Sequence, residues 1–481
     1  MRTELQFPRR ATTLALGVAL LCVSGCVVGP SYKTPDTKLV PFHNAAAVEA
    51  RAAALPEPSL EEWWTGFRDP LLTEIVQRAL SQNLELAAAL ARVDEARAAA
   101  KEAGARLLPE GDVLAQVAPL HQSLDSPIGT IARHLPGYER NQTLSDFGTV
   151  ASWEVDLFGG LRRGAEAATA QAEAAAAEHV GVRISVAAEA ADAYLQIRGY
   201  QTRLALTEDQ IATDSELLEL VRLRFTAGAA SNREVAQAEA LLAQARATVP
   251  ALRIALEAQL NRLDVLMGAQ PGTYAAKVAI PADLPGATAV STHGPAQTLL
   301  RRRPDVIAAE RRLAAANARI GVAIAGYYPK VSLAGVLGFE TLNGHALVTS
   351  AAFQPEAVAG LRWRLFDFGR VDAEVAQAGG AEAQALAAYR LTVLRASEDV
   401  ENAAISLVQL EAQSAELTDQ VAALGRARDT SEEDYKAGAI ALTDVLDADR
   451  ELLLARDNLA RSRADTARAA VGLFRSLGGG W

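Results

Sequence analysis

Small and apolar residues recur along most of this chain at alternating spacings of three and four, the pattern of helices that pack as coiled coils. The spacing is clearest in the second half, where it is carried by Val393, Ala396, Val400, Ala403, Leu407 and Leu410. Four long helices are predicted, with approximate ranges 161–226, 231–267, 370–437 and 441–477. At about 1.5 Å per residue the first would be roughly 100 Å long, far longer than the helices of a globular domain.

Two regions interrupt the helical pattern. Residues 110–158 and 330–368 contain short, weakly alternating apolar runs around a polar loop, and each region is predicted to form a β-hairpin. A further helical stretch precedes each hairpin, from about Pro70 to Pro109 and from Leu299 to Tyr328. The same order of elements therefore occurs twice.

This order reflects an internal duplication. Gly228 and Gly438 stand in two predicted turns between long helices, 210 residues apart, and Val235 and Val445 keep the same offset. The predicted organisation is a signal peptide at 1–25, a tether at 26–68, a first repeat at 69–268, a linker at 269–298 and a second repeat at 299–481.

The first 26 residues have the composition of a bacterial lipoprotein signal. Basic residues precede an apolar run from Ala11 to Val23, which is too short to span a bilayer, and the run ends in LCVSGC. This pattern predicts cleavage before Cys26 and a lipid on that cysteine, although an ordinary signal with an incidental cysteine has the same order. Val27 follows the cysteine where an Asp would retain a lipoprotein at the inner membrane, so the outer membrane is the predicted location.

Composition and motifs argue against several classes of function. The net charge of −11 argues against nucleic acid as a partner, because phosphate binding needs a basic face. The chain has no phosphate-binding glycine loop and no nucleophile motif, so we predict that it is not an enzyme. The 6 histidines show no ligand spacing, and no metal or other cofactor is predicted beyond the lipid on Cys26.

The strands raise a question about assembly. Strands of about ten residues are long enough to cross an outer membrane, but one chain supplies only four. Four strands cannot close a barrel, and lipid cannot accommodate an open sheet edge. Either several chains share one barrel, or the hairpins form a soluble cap on a helical bundle; the periodicity leaves both open.

Four sequence blocks occur in order along nearly all of the mature chain. They are WWTGFRDPLLTEIVQRALSQNLELAAALARVDEARA, ASWEVDLFGGLRRGAEAA, RRRPDVIAAERRLAAANARIGVAIAGYYPKVSLAGVLG and YKAGAIALTDVLDADREL. With these blocks the chain resembles the outer-membrane efflux proteins, the TolC-like exit ducts, and specifically their lipoprotein branch found with resistance-nodulation-division (RND) pumps. The resemblance implies a mainly helical homotrimer with a 12-stranded outer-membrane β-barrel and a 12-helix periplasmic tunnel. The linker and the chain ends would form a belt around the tunnel, whose mouth would dock on a periplasmic adaptor protein that links it to an inner-membrane RND pump.

The resemblance also implies roles for residues near the second turn. Asp444 and Asp447 match family positions whose carboxylates ring the periplasmic mouth, and Tyr435 matches an aromatic that helps to hold the mouth shut. Gly228 and Gly438 would mark the tips that face the adaptor. In the alternative interpretation, the two aspartates only complement the dipole of a helix start, by roughly 0.3–1 kcal/mol.

One position departs from the family pattern. A basic residue usually follows the turn glycine by two and helps to latch the mouth, but Ile440 stands there in this chain. The latch is therefore weaker, or it uses Arg450 or Lys436 instead.

The expected function is a passive exit duct that conducts drugs or other small toxic compounds. Two alternatives remain at this stage: the exit duct of a type I protein secretion system, and a structural coiled-coil lipoprotein without a channel.

Overall fold

A computed structural model describes residues 27–36, 39–52, 59–286, 290, 296–342 and 346–481. The predicted signal peptide and Cys26 lie outside these residues. Within the described ranges, no helix combines the length and the apolar character needed to cross a membrane.

Two helices of 67 residues dominate the chain. The first repeat contains α2 (Pro70–Gln82), α3 (Leu84–Ala105), β1 (Glu110–His121), the short α4 (Pro127–Ala132), β2 (Asn141–Val155), α5 (Gly160–Thr226) and α6 (Asn232–Leu266), with α1 (Ala45–Ala52) before it. The second contains α8 (Ala296–Arg301), α9 (Pro304–Ile324), β3 (Lys330–Thr341), β4 (Phe353–Arg362), α10 (Arg370–Lys436) and α11 (Leu442–Ser476). The short α7 (Ala275–Val278) lies in the linker, and two 3₁₀ turns occupy Trp63–Phe67 and Ala325–Tyr327. The predicted fold class, mainly helical with long hairpins, four strands and an internal duplication, is confirmed.

The helix before each hairpin is broken once, where the sequence pattern predicted a continuous helix. Asn83 separates α2 from α3, and its side chain donates to the carbonyl oxygen of Leu266 at 2.9 Å. The second break comes 220 residues later at Arg303, whose guanidinium donates to the carbonyl oxygen of Ser476 at 2.8 Å. In both repeats the side chain at the break thus donates to the final carbonyl oxygen of the last helix of that repeat. Such a carbonyl has no hydrogen-bond partner inside its own helix.

The four strands form one antiparallel sheet in the order β1-β2-β3-β4. The two repeats join through β2 and β3, which pair from Ser145 opposite Thr341 to Val155 opposite Val331. Trp153 on β2 donates its indole N–H to the carbonyl oxygen of Leu107 at 2.9 Å. Trp363, which follows β4, donates its indole N–H to the carbonyl oxygen of Tyr327 at 2.9 Å. Each tryptophan therefore ties its hairpin to the end of the preceding helical segment.

The chain divides into two compact units, and each repeat contributes to both. One unit contains the sheet and comprises the described residues before Pro35 together with Asp94–Glu173 and Glu310–Ala387. The other comprises Pro35–Val93, Ala174–Ala309 and Ala388–Trp481. The second unit holds most of the large buried side chains, among them Trp63, which stacks on Phe474 with ring centroids 5.3 Å apart.

The linker lies within the second unit and is held by several side chains, among them a buried arginine. Arg198 on α5 is 2% exposed, and its guanidinium donates to the carbonyl oxygen of Ile280 at 2.6 Å. The same guanidinium lies over the ring of Tyr194, 4.8 Å from its centre, and the Tyr194 hydroxyl donates to Asp69 at 2.6 Å. Burial is the main reason that the pKa of Tyr194 is raised to about 12, so its hydroxyl remains a donor.

Candidate functional site at the hairpin tips

The two turns that join the long helices have the same geometry. At the first, Gly228 donates to the carbonyl oxygen of Phe225 at 3.0 Å and Ala229 donates to that of Arg224 at 2.7 Å. At the second, Gly438 and Ala439 make the equivalent bonds at 3.0 and 2.8 Å. These pairs define a Schellman turn, which needs a positive φ at the glycine; the values are 73° and 77°. The duplicated glycines thus end their helices in the same way.

The helices that follow the turns are capped differently. Ser231 and Glu234 form a complete capping box, with the Glu234 carboxylate accepting from the Ser231 amide at 2.6 Å and the Ser231 hydroxyl accepting from the Glu234 amide at 3.3 Å. In the second repeat Ala441 replaces the serine and can accept nothing through its side chain. Only the reverse bond remains there, from the Ala441 amide to Asp444 at 3.2 Å. Asp444 therefore stabilises the start of α11 in addition to carrying a charge.

An apolar cluster lies beneath the tips and joins the two hairpins. Its buried members come from four helices and comprise Leu217, Leu218, Val221, Ala238, Leu242, Tyr435, Leu442 and Val445. Ile440 packs against the cluster from the second turn. Ile440 therefore adds apolar contact at the position where the resemblance implies a basic side chain.

Tyr435 lies inside this cluster with only 2% of its surface exposed. Its hydroxyl has no hydrogen-bond partner among the residues that the structure describes. Burial raises the pKa of this hydroxyl, opposed by the charge of Arg224 and aided slightly by that of Glu234, so the hydroxyl stays neutral at ordinary pH. Tyr435 thus holds the second hairpin by packing rather than through its hydroxyl group.

Arg224 links the two hairpins at Tyr435. Its guanidinium lies 4.3 Å from the centre of the Tyr435 ring, and Nη1 donates to the Tyr435 carbonyl oxygen at 3.0 Å. The two basic residues that the sequence offered as latch candidates bind within their own hairpin: Lys436 pairs with Glu432 at 2.6 Å and Arg450 with Asp447 at 3.0 Å. The sequence interpretation missed Arg224, although it corresponds to Asp434 in the second repeat and so marks a charge reversal.

The two predicted gate carboxylates lie near the start of α11. The Asp447 side chain is 62% accessible, and Asp444 caps the helix through the Ala441 amide. The corresponding residues of the first repeat are Glu234, which is used in its capping box, and the uncharged Gln237. The second tip therefore presents a pair of acids that the first tip lacks. Their role at a gate stays a prediction.

Two further features of the described residues bear on chemistry. No three His, Cys, Asp or Glu side chains in this part of the chain lie close enough together to hold a metal ion. The predicted lipid site, Cys26, lies outside the described residues, but the segment that follows it is fixed: Arg163 donates to the carbonyl oxygens of Val28 and Gly29, both at 3.2 Å.

Comparison with solved structures defines the class of protein. The outer-membrane channel OprN is 34% identical, with a TM-score of 0.86 over 95% of this chain and 100% of its own. Paired helical hairpins with matched tips, together with one four-stranded sheet, are therefore the architecture of an outer-membrane channel.

The family follows from the sequence comparisons. The chain belongs to the outer membrane efflux protein family, whose profile matches residues 75–269 and 296–479. The pyoverdine export outer membrane protein OpmQ of Pseudomonas putida is 32% identical over 473 residues, covering 98% of each chain. Nodulation protein T of Rhizobium leguminosarum bv. trifolii is 29% identical over 465 residues, covering 96% of each chain. The predicted family and its efflux function are confirmed, and the protein is an outer-membrane efflux component.

Proposed function

We propose that this chain forms the exit duct of a tripartite RND-type efflux system as a homotrimer. The observation that carries the proposal is the pair of matched hairpin tips, of which only the second bears the two acids Asp444 and Asp447. A trimer places six such tips around one opening, and its six carboxylates would form a ring that attracts cations. The duct itself is passive, with neither catalytic step nor cofactor, and its periplasmic adaptor and pump select and drive the cargo.

The strand number supports the trimer. β1 and β4 are the edge strands of a sheet in which β1, β3 and β4 have 12, 12 and 10 residues and β2 has 15. These lengths suit an outer-membrane strand. Backbone groups at an open edge are costly in lipid, and three chains joined edge to edge would pair all of them in a barrel of about 12 strands.

The cargo class rests on the relatives. One is named for pyoverdine export, another is the toluene efflux pump outer membrane protein TtgF of Pseudomonas putida, and a third is a solvent efflux pump outer membrane protein of the same species. We infer small organic compounds as the cargo of this chain. These names favour efflux over the alternative of type I protein secretion.

A lipid on Cys26 would anchor the protein in addition to its strands. Val28 donates its amide to the carbonyl oxygen of Phe158 at 3.1 Å, where β2 gives way to α5. The chain is therefore held beside the end of β2 two residues after the predicted lipid site. Several acyl chains, at about 0.8 kcal/mol per buried methylene, suffice for stable anchoring. Replacement of Cys26 by Ala should abolish acylation and leave the trimer in the membrane.

The test has two measurements. Purified protein in planar bilayers should conduct ions with a preference for cations, and deletion of the gene should sensitise the host to small organic toxins. A protein that assembles correctly and never conducts would refute the duct and favour the structural lipoprotein. Normal conductance with unchanged toxin sensitivity, together with loss of a secreted protein, would favour the secretion duct.

A further inference from the structure

Beneath the tips, charged side chains from three helices meet in a buried cluster that joins the two hairpins. Asp214 on α5 is 1% exposed and Asp449 on α11 is 2% exposed. Arg428 on α10 donates to Asp449 Oδ1 at 2.9 Å. Gln210 on α5 donates to Asp214 Oδ1 at 2.7 Å. The cluster therefore buries two carboxylates beside one partly exposed guanidinium.

This cluster is short of both positive charge and donors. Asp214 Oδ2 and Asp449 Oδ2 are buried and have no hydrogen-bond partner among the described residues. The guanidinium of Arg428 is shared further with Glu432 at 2.5 Å and with Asp429 at 3.4 Å. A buried, ionised carboxylate oxygen without a donor is costly, and a proton is the smallest species that supplies a donor and removes a charge.

The affinity of Asp214 for a proton is raised by its surroundings. Burial is the main cause, and the charge of Asp449 adds to it, while the Gln210 amide and the Arg428 charge act in the opposite direction. Together they raise the pKa of Asp214 from 3.8 to about 6.

The second carboxylate of the cluster is the better compensated one. The pKa of Asp449 is also raised, mainly by burial and further by Glu432, against the hydrogen bond and charge of Arg428 and the charge of Arg456. Because Arg428 binds Asp449 directly, Asp214 is the group that takes up the proton.

We propose that Asp214 is a proton-binding site that couples the acidity of the surroundings to the packing of the second hairpin on the first. With the proton bound, the cluster carries one negative charge fewer and the hairpins stay packed. Without it, both buried carboxylates are charged, while Arg428 is also shared with Glu432 and Asp429. Separation of the hairpins relieves this cost by admitting water. The effect of pH on packing is a property of the fold alone. Only an effect of this packing on conduction rests on the proposed function.

The sign of the coupling follows from the shift. Below pH 3.8 Asp214 is protonated whether the hairpins are packed or apart, so the packed arrangement keeps its full stability. As pH rises toward and past about 6, separated hairpins lose the proton first and the packed arrangement loses stability. Mildly acidic solution therefore favours packing, and neutral solution favours separation.

The cluster is connected to the second tip by a series of ion pairs. Arg428 pairs with Glu432 at 2.5 Å, and Glu432 pairs with Lys436 at 2.6 Å, one helical turn at a time. Lys436 is the last residue of α10 before the turn at Gly438. A rearrangement at Asp214 would thus reach the tip through Arg428.

The direct test measures the proton itself. Infrared difference spectra of the detergent-solubilised trimer, taken across a pH titration, should contain a carboxylic-acid carbonyl band with a midpoint of about 6. Asp214→Asn should remove this band. Asp209→Asn changes an exposed acid on the same helix and should leave the band in place. A band that survives in Asp214→Asn overturns the assignment.

The second test measures the coupling. Amide hydrogen exchange of residues 442–452, corrected for intrinsic rates, should show an opening equilibrium that rises about tenfold from about pH 5 to about pH 7.5 in the wild type and in Asp209→Asn. Asp214→Asn should be insensitive to pH over this range. Equal pH dependence in wild type and Asp214→Asn would overturn the proposal while leaving a conducting duct intact.

A third variant keeps the proposal testable if Asp214→Asn fails to fold. Asp449→Asn removes a charge that raises the proton affinity of Asp214 and frees Arg428 to approach it. The pH midpoint of the infrared band should therefore move to lower pH, and so should that of the opening equilibrium measured by hydrogen exchange. A midpoint that stays in place or moves upward contradicts the proposal.

Discussion

The guanidinium of Arg224 lies 4.3 Å from the ring centre of Tyr435 and donates to the carbonyl oxygen of the same residue at 3.0 Å. One side chain of the first hairpin thus holds both the ring and the backbone of the second, one turn before its tip. A partly buried cation over an aromatic ring contributes about 1 kcal/mol, and a charged hydrogen bond about 1.5–3 kcal/mol. We expect this contact to hold the second tip in place of the basic residue that the resemblance implies at the position of Ile440.

Loss of Arg224 should loosen the tips. We expect Arg224→Met to weaken the packing of the hairpins by about 2 kcal/mol, because the methionine keeps the apolar stem and loses both polar contacts. Hydrogen exchange in residues 435–446 should rise, and single-channel recordings should show longer open times. Arg222→Met is the control, because Arg222 pairs with Glu219 and Glu239 within the first hairpin. Equal effects of the two variants would contradict a latch at Arg224.

The stability of the protein should depend on the ring of Tyr435 and not on its hydroxyl. Its hydroxyl is buried and lacks a partner among the described residues, so Tyr435→Phe should keep or slightly increase stability. Tyr435→Ala leaves a cavity in the apolar cluster and should cost about 3–5 kcal/mol. Thermal unfolding of both variants measures the change in stability, and closed-state conductance shows whether the mouth stays shut. A mouth that opens in Tyr435→Phe would show that the hydroxyl, and not the packing, holds it shut.

The long helices could be predicted because their signals are local. Heptad spacing and turn glycines lie within a few residues of the feature that they specify, and the duplication provided each of them twice. The helix breaks at Asn83 and Arg303 were missed although local signals mark both, since Asn83 caps the Leu86 amide and Pro304 begins α9. The bonds from Asn83 to Leu266 and from Arg303 to Ser476 are not local. A local pattern contains no record of a bond across 183 residues.

The candidate site was predictable in part for the same reason. The acids Asp444 and Asp447 stand beside a recognisable turn, so their place at a helix start follows from the sequence. The meeting of Asp214 with Asp449 depends on how two hairpins pack, and an aspartate at either position has no distinctive neighbours in the sequence. The same holds for Arg224, whose partner is 211 residues away.

The two turn glycines should contribute equally to stability. Gly228 and Gly438 have φ values of 73° and 77°, and no neighbouring atom lies within 4 Å of a Cβ added to either. Replacement by Ala therefore meets backbone strain alone, and each change should cost about 1–2 kcal/mol. Thermal unfolding of both single variants tests this. Asn at either position should recover part of the loss, because it tolerates a positive φ better than Ala does.

Loss of the acid at Asp447 should change ion selectivity without changing stability. Its pair with Arg450 is exposed, so removal of the pair should change the free energy of unfolding by only about 0–1 kcal/mol. In the trimer, however, Asp447→Asn removes three negative charges from the proposed mouth. Reversal potentials in asymmetric KCl should therefore show weaker cation preference, most clearly at low salt, where charges are least screened. Glu451→Gln, an exposed acid on the same helix, is the control and should retain the preference. Equal loss in both variants would assign selectivity to overall charge rather than to the second tip.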